Sequence, residues 1–323
     1  MKNIHFLLSL LFGLLLISCG KDNSKEKEIT AIPVQLSIER FEQKFKDLDR
    51  NKLQDLKNEY PFLFPPKYDD SIWLLKSKDT LQSELRKEVL KKFPDLKPIK
   101  NDITDLFKHI KYYFPEIKVP RIVTVTSDVN YEQKVILADS LLLISLDTYL
   151  GKEHHFYQGI QQFIRKNFEE EQVIPDVAAR YVKEIIPLPK DRTFLANLIF
   201  YGKELYTKSI LLPDISEEVL LGYTKDEYEW AQANEEQIWR FFIDRELLYN
   251  TDKNLNARFL YPGPFSKFNL QQIDNESPDR IGQFIGWQIV KSYMKNKNVS
   301  LRKMIIQDAE QIFQASRYKP KKK

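Results

Sequence analysis

The segment RIVTVTSDVNYEQKVILADSLLLISLD, residues 121–147, decides the fold class. Its β-branched and apolar runs, RIVTVTSDV and KVILADSLLLISLD, interrupt a chain that otherwise repeats apolar residues at helical spacing. Ala138, Asp139 and Ser140 divide the second run as a short turn would. The two runs predict a hairpin plus one more strand, a small sheet set into a helical protein.

On the N-terminal side, SIERFEQKFKDLD places Ile38, Phe41, Phe45 and Leu48 on one helical stripe, and DTLQSELRKEVLKKF does the same with Leu81, Leu85, Val89 and Phe93. NDITDLFKHIKYYF adds a third such segment, with Asn101 as the expected cap. From Glu153 onward the helical period returns. It runs through EHHFYQGIQQFIRKNF, DVAARYVKEI, DRTFLANLIFYGKELYTKSILL, SEEVLLGY, TKDEYEWAQANEEQIWRFFIDRELLY, DRIGQFIGWQIVKSYMK and SLRKMIIQDAEQIFQAS. Thr224 and Glu227 have capping-box spacing. The expected class is mainly α with a small β-sheet (α+β). No Pro/Gly-rich linker divides the middle, so residues 32–318 are expected to form a single helix-rich globular domain.

The ends carry a different message. Lys2 precedes an apolar run over residues 6–17, too short to span a bilayer comfortably and the length of a signal-peptide core. Leu16, Ile17, Ser18 and Cys19 fit the bacterial lipobox, whose cysteine is diacylated on sulfur and then becomes the first mature residue. Residues 1–18 are therefore expected to be a lipoprotein signal peptide and Cys19 the lipidation site. Two or three acyl chains hold such a protein stably, at about 0.8 kcal/mol per buried methylene. Cys19 is the chain's one cysteine, so after processing no disulfide is available and the core must carry stability. Polar residues 19–31 read as a flexible tether, and KPKKK at 319–323 as a frayed basic tail. The formal charge of +4 resides in these ends: without Lys2 and the four tail lysines, 45 basic groups face 46 acidic ones. A balanced body outside the cytoplasm is not the profile of a nucleic-acid binder.

Residues able to do chemistry are few. Of four histidines, His5 leaves with the signal and His109 reads as surface or core edge. His154 and His155 are adjacent and diverge by about 100° on a helix, so a metal site there needs Glu153 or Asp147 from elsewhere. There is no GxSxG, no Gly-rich phosphate loop and no thiol beyond Cys19. In NLIFYGKELYTKSILL, however, Tyr201, Gly202, Lys203, Glu204, Tyr206 and Lys208 stand among apolar neighbours. The spacing is similar to that of zinc peptidases, where two histidines four apart bind zinc and a glutamate about twenty residues on completes the site. Here Tyr201 and Leu205 occupy the histidine positions and Glu218 lies near the third, so no metal, no cofactor and no catalytic residue is expected.

At ISLDTYLG (144–151), FYGKELYTKSILLP (200–213), EEQIWRFF (235–242) and IGQFIGWQIVKSYM (281–294), together with the lipobox, the chain resembles the gliding-motility-associated lipoproteins of the GldB family. The resemblance spans most of the mature chain. It implies a lipid-anchored component of the cell membrane or outer membrane, with its body outside the cytoplasm. Such a component is needed for gliding and for the secretion machinery that delivers surface adhesins. The last helices also resemble distant zinc-peptidase-like proteins, implying a degenerate zincin-like architecture without metal. Its partners would be the membrane and other gliding or secretion proteins, not nucleic acid. A metal-free cleft of that kind predicts a peptide-gripping groove lined by Tyr201, Glu204, Tyr206, Glu218, Tyr223 and Trp287. The rival reading is a zinc-dependent envelope hydrolase built on Glu153, His154 and His155.

Overall fold

The computed structural model describes residues 20–321. Cys19 and the whole expected signal sequence lie outside the described residues, as do Lys322 and Lys323. The chain is mainly helical with one small mixed sheet. Strands β1 (Ile38–Arg40), β2 (Arg121–Val125), β3 (Val135–Ala138) and β4 (Leu141–Ser145) lie in the order β1-β2-β4-β3. The β3–β4 hairpin is antiparallel and turns through Asp139, at φ 45°. The pairs β1–β2 and β2–β4 are parallel, with Ile122 facing Ile38 on one side and Leu142 on the other.

Both faces of this sheet are covered, which explains why its strands read as apolar runs rather than as alternation. Ile122, Leu142 and Ile144 join the main apolar cluster, which extends from Val89 to Ile312. Val123 and Val125 face Phe45, Leu48, Leu53, Leu56, Tyr60 and Phe64, a smaller cluster laid over the other side by the N-terminal third.

The hairpin and the third strand follow the sequence reading, but β1 does not. Ile38–Arg40 is a strand and Phe41–Lys44 a single helical turn, so the stripe through Ile38 and Phe41 is not one helix. Parallel pairing with β2 and the fork of Arg121 on Glu39, at 2.8 and 2.7 Å, outweigh a local period of two turns. The helix expected over NDITDLFKHIKYYF starts earlier, at Lys97, with Pro98 in its first turn, so Asn101 is internal and not a cap. Residues 153–168 form only the 3-10 turn His155–Tyr157 and the short helix Gln162–Arg165. Gly159, at φ 90°, interrupts any longer helix there. The 224–249 stretch breaks at Asn234 into Lys225–Ala233 and Glu235–Asp244, the first opened by the Thr224–Glu227 capping box.

Both ends are tied down further than their composition suggests. Gly20–Thr30 is helical, not an unstructured spacer, and its last turn seats Ile29, 2 % exposed, beside the Lys97–Tyr113 helix. At the other end, the carboxylate of buried Glu235 accepts from Tyr318 Oη at 2.9 Å and from the Lys321 backbone at 3.2 Å, so the basic tail is held as far as Lys321.

Two long helices organise the C-terminal half: Phe194–Leu211, the central helix, and Ile281–Asn296, which crosses it. Thr193 caps the first, its Oγ1 accepting from Ala196 N. The crossing is a backbone contact. A Cβ built on Gly286 would lie 1.9 Å from the Leu198 carbonyl oxygen, and one on Gly202 would lie 2.2 Å from the Gly286 oxygen.

Candidate functional site

Positions 201, 204, 205 and 208 share one face of the central helix, because residues three, four and seven apart are neighbours along a helix. Tyr201, Glu204, Leu205 and Lys208 form one wall of a cavity of about 690 Å³. A second wall comes from the Val173–Ile185 helix, whose Asp176 and Lys183 are themselves seven apart. Phe163, Ile164 and Phe168 add an apolar side; Lys134, just before the edge strand β3, and Tyr261 and Arg280 complete the rim.

Charges here fall into two sets. Paired groups include Lys134 with Asp176 at 2.5 Å, and Asp279 with both Arg280 at 3.0 Å and Lys166 at 3.2 Å. Burial pushes the Asp279 carboxyl up, but the charges of Arg280 and Lys166 outweigh it and hold the group below its ordinary value. Lys183, Glu204 and Lys208 make up the second set. Glu204 makes no hydrogen bond or ion pair among the described residues, and burial raises its pKa to about 6 against the opposing pull of Lys183 and Lys208. Lys208 is lowered by burial to about 8, and its one hydrogen bond goes to the Leu220 carbonyl. Burial also lifts Tyr201 to about 12, keeping its phenol neutral.

Of the six groove residues expected from sequence, the cavity brings together Tyr201 and Glu204. Tyr223 lies behind the wall: it is buried, its hydroxyl donates to the Asp279 carbonyl at 2.5 Å, and Lys166 and Arg280 each sit 5.6 Å from its ring. Glu218 lies in the short helix Glu217–Leu221, half-buried, and does not line this cavity. Tyr206 points elsewhere, into a separate depression with Tyr112, Tyr113 and Arg302. Trp287 is fully buried, with the Lys291 ammonium 3.8 Å from its ring centre. The sequence reading missed Lys134, Asp176, Lys183 and Arg280. The seven-residue spacing of Asp176 and Lys183 was the one local signal available, but nothing in the sequence said which wall that helix would face.

The residues of the rival metal site are engaged separately. Asp147, fully buried, accepts from Ser127 N at 2.9 Å and Val129 N at 2.7 Å, holding the left-handed pair Asp128 and Val129. Glu153 pairs with Arg165 at 2.9 Å, and His154 meets Glu88 at 3.3 Å. The rings of His154 and His155 stack 4.4 Å apart. Among the described residues no three His, Cys, Asp or Glu side chains gather as metal ligands.

The profile of the family described as gliding motility protein GldB matches residues 22–320. The chain belongs to that family. Membership of the GldB family gives the protein a role in gliding motility, and the lipoprotein character of the family associates it with the membranes of the cell envelope. Among the described residues no helix is long and apolar enough to cross a membrane. No curated protein and no solved structure matches the chain.

Proposed function

We propose that this GldB-family lipoprotein is held at the envelope through lipid on Cys19 and acts there as a non-catalytic binding component of the gliding apparatus and its associated secretion machinery. The cavity beside the central helix is its docking cleft. The observation that carries the reading is the cavity itself: between a wall built on Tyr201, Glu204, Leu205 and Lys208 and a facing wall of mixed polarity lies space for a peptide segment. The edge strand β3 begins at this cavity, immediately after Lys134, and its outer side is unpaired in the sheet. Such an edge offers backbone donors and acceptors to an extended partner.

The test is a chromosomal Tyr201→Ala, Tyr261→Ala double variant, both residues lying on the cavity's accessible wall. The variant is expected to reach wild-type level in the membrane fraction, to lose colony spreading and to bring down fewer envelope proteins on affinity purification. Normal spreading with an unchanged set of co-purified proteins would refute the cleft. One equivalent of zinc in the purified protein, removed by His154→Ala, would overturn the non-catalytic reading.

A further inference from the structure

The cavity has a feature that a general peptide groove does not need. Its charged lining is neutralised internally except at one place. Lys134 is matched by Asp176, and Arg280 by Asp279. Lys183 and Lys208 have no ion pair among the described residues, and the carboxylate between them in the chain's electrostatics, Glu204, reaches neither as a salt bridge. Two cations and one acid thus face a shared space with an excess of positive charge. Lys183 is exposed at the mouth, whereas Lys208 is half-buried at the wall with its ammonium steadied by the Leu220 carbonyl.

Leaving a cation partly desolvated and unmatched is costly, and an incoming anion removes that cost. Beside these charges Phe163, Ile164 and Tyr201 present apolar and aromatic surface. We propose that the cleft recognises a carboxylate-bearing peptide segment, its acidic group received between Lys183 and Lys208 and the side chain next to it packed against Tyr201 and the Phe163–Ile164 wall. Glu204 lies within the field of both lysines and, when protonated, donates a hydrogen bond to the same carboxylate. Carboxylate rather than phosphate is the better match. The one guanidinium on the rim, that of Arg280, is already committed to Asp279 and to the Gly222 carbonyl, leaving no fork for bidentate phosphate binding.

This inference rests on the docking-cleft reading, and its test separates the two. The full-length lipidated chain, held in detergent micelles, is panned against randomised pentapeptides in two arms. In one arm both peptide ends are blocked, so that a side chain is the sole source of carboxylate; in the other the C-terminus is free. An enrichment of aspartate or glutamate at one position, or of the free terminus, of at least about fivefold is expected, with an aromatic or branched neighbour. The blocked arm scores an internal acidic residue and the free arm a terminal carboxylate. Lys183→Glu, at an exposed position, should abolish the acidic preference, as should Lys208→Met. Neutral peptides enriched in a Tyr201-dependent way would overturn the acidic specificity while leaving the cleft intact. Acidic enrichment that survives both lysine substitutions, or no enrichment in either arm, would overturn the assignment.

Discussion

Gly286→Ala tests the backbone contact on which the helical half is built. Its added methyl would lie 1.9 Å from the Leu198 oxygen and 2.7 Å from the Leu198 carbonyl carbon, both rigid backbone atoms of the central helix. Restoring an ordinary carbon–oxygen contact of roughly 3.3 Å parts the helices by about 1.4 Å. A gap of 0.5–1 Å already forfeits about a quarter to a half of each dispersion contact, and Leu198, Ile199, Leu205, Ile285 and Ile289 are all buried on these two helices. Overpacking of this kind costs about 1–3 kcal/mol and more where backbone must move, against about 1 kcal/mol gained from replacing a helical glycine. With rigid backbone on both sides of the contact the gross cost is set at about 4 kcal/mol, so the net expectation is a loss of about 3 kcal/mol. With unfolding entropy near 0.6 kcal/mol per kelvin for a body of about 300 residues, Tm should fall by about 5 °C in thermal unfolding followed by far-ultraviolet circular dichroism. Gly263→Ala is the control, since its Cβ would meet nothing closer than Phe265 O at 3.7 Å. A Gly286→Ala protein melting within about 1 °C of wild type, or a Gly263→Ala protein that loses as much, would refute the close-contact argument.

Removing the Asp279 side chain leaves Lys166 and Arg280 without their shared carboxylate, so Asp279→Ala should cost about 3–5 kcal/mol, read from the urea midpoint. Because the folded pKa of Asp279 is depressed, its stabilising contribution is present above the unfolded value of 3.8 and disappears as pH falls through the folded value; the wild-type and Asp279→Ala curves should converge in acid. Glu204 has the opposite sign. Its folded pKa is raised from 4.5 to about 6, so stability present below 4.5 is lost as pH rises to 6, by at most about 2 kcal/mol. Glu204→Gln should flatten the stability profile across that window and be the more stable protein at pH 7; an unchanged slope would show that the group is solvated. Thr224→Ala removes one half of an observed capping box and should lower stability by about 1 kcal/mol, recovered by Thr224→Ser.

The elements legible in the sequence are those whose signal is local and repeated. The Val173–Ile185, Phe194–Leu211 and Ile281–Asn296 helices each carry several turns of apolar spacing, and β2, β3 and β4 each carry a dense apolar run with a turn residue at φ 45° between the last two. The Thr224 cap likewise needs only residues three apart. Strand β1 was hidden because three residues hold no period, and its hydrogen bonds come from a segment more than eighty positions away. The helix over Gly20–Thr30 was hidden because its composition is polar, with Ile29 its one apolar residue, and because its other contacts, Lys25 over the Tyr113 ring and Glu26 beside His109, come from a segment more than eighty positions away.

By itself the sequence determined the class, helical with a minor sheet, because periodicity acts within a few residues. It also determined the family, through motifs spread in order along the matched residues 22–320. Tertiary structure alone decided the site. Whether Tyr201 and Trp287 share a cleft depends on which faces of two helices meet, and the glycine contact between Gly202 and Gly286 turns Trp287 into the core while Tyr201 stays at the cavity wall. Which lysines remain unmatched depends on ion pairs between distant segments, such as Lys134 with Asp176 and Lys166 with Asp279. A charge's partner is set by distance in space, and distance in space between segments is what a linear pattern does not carry.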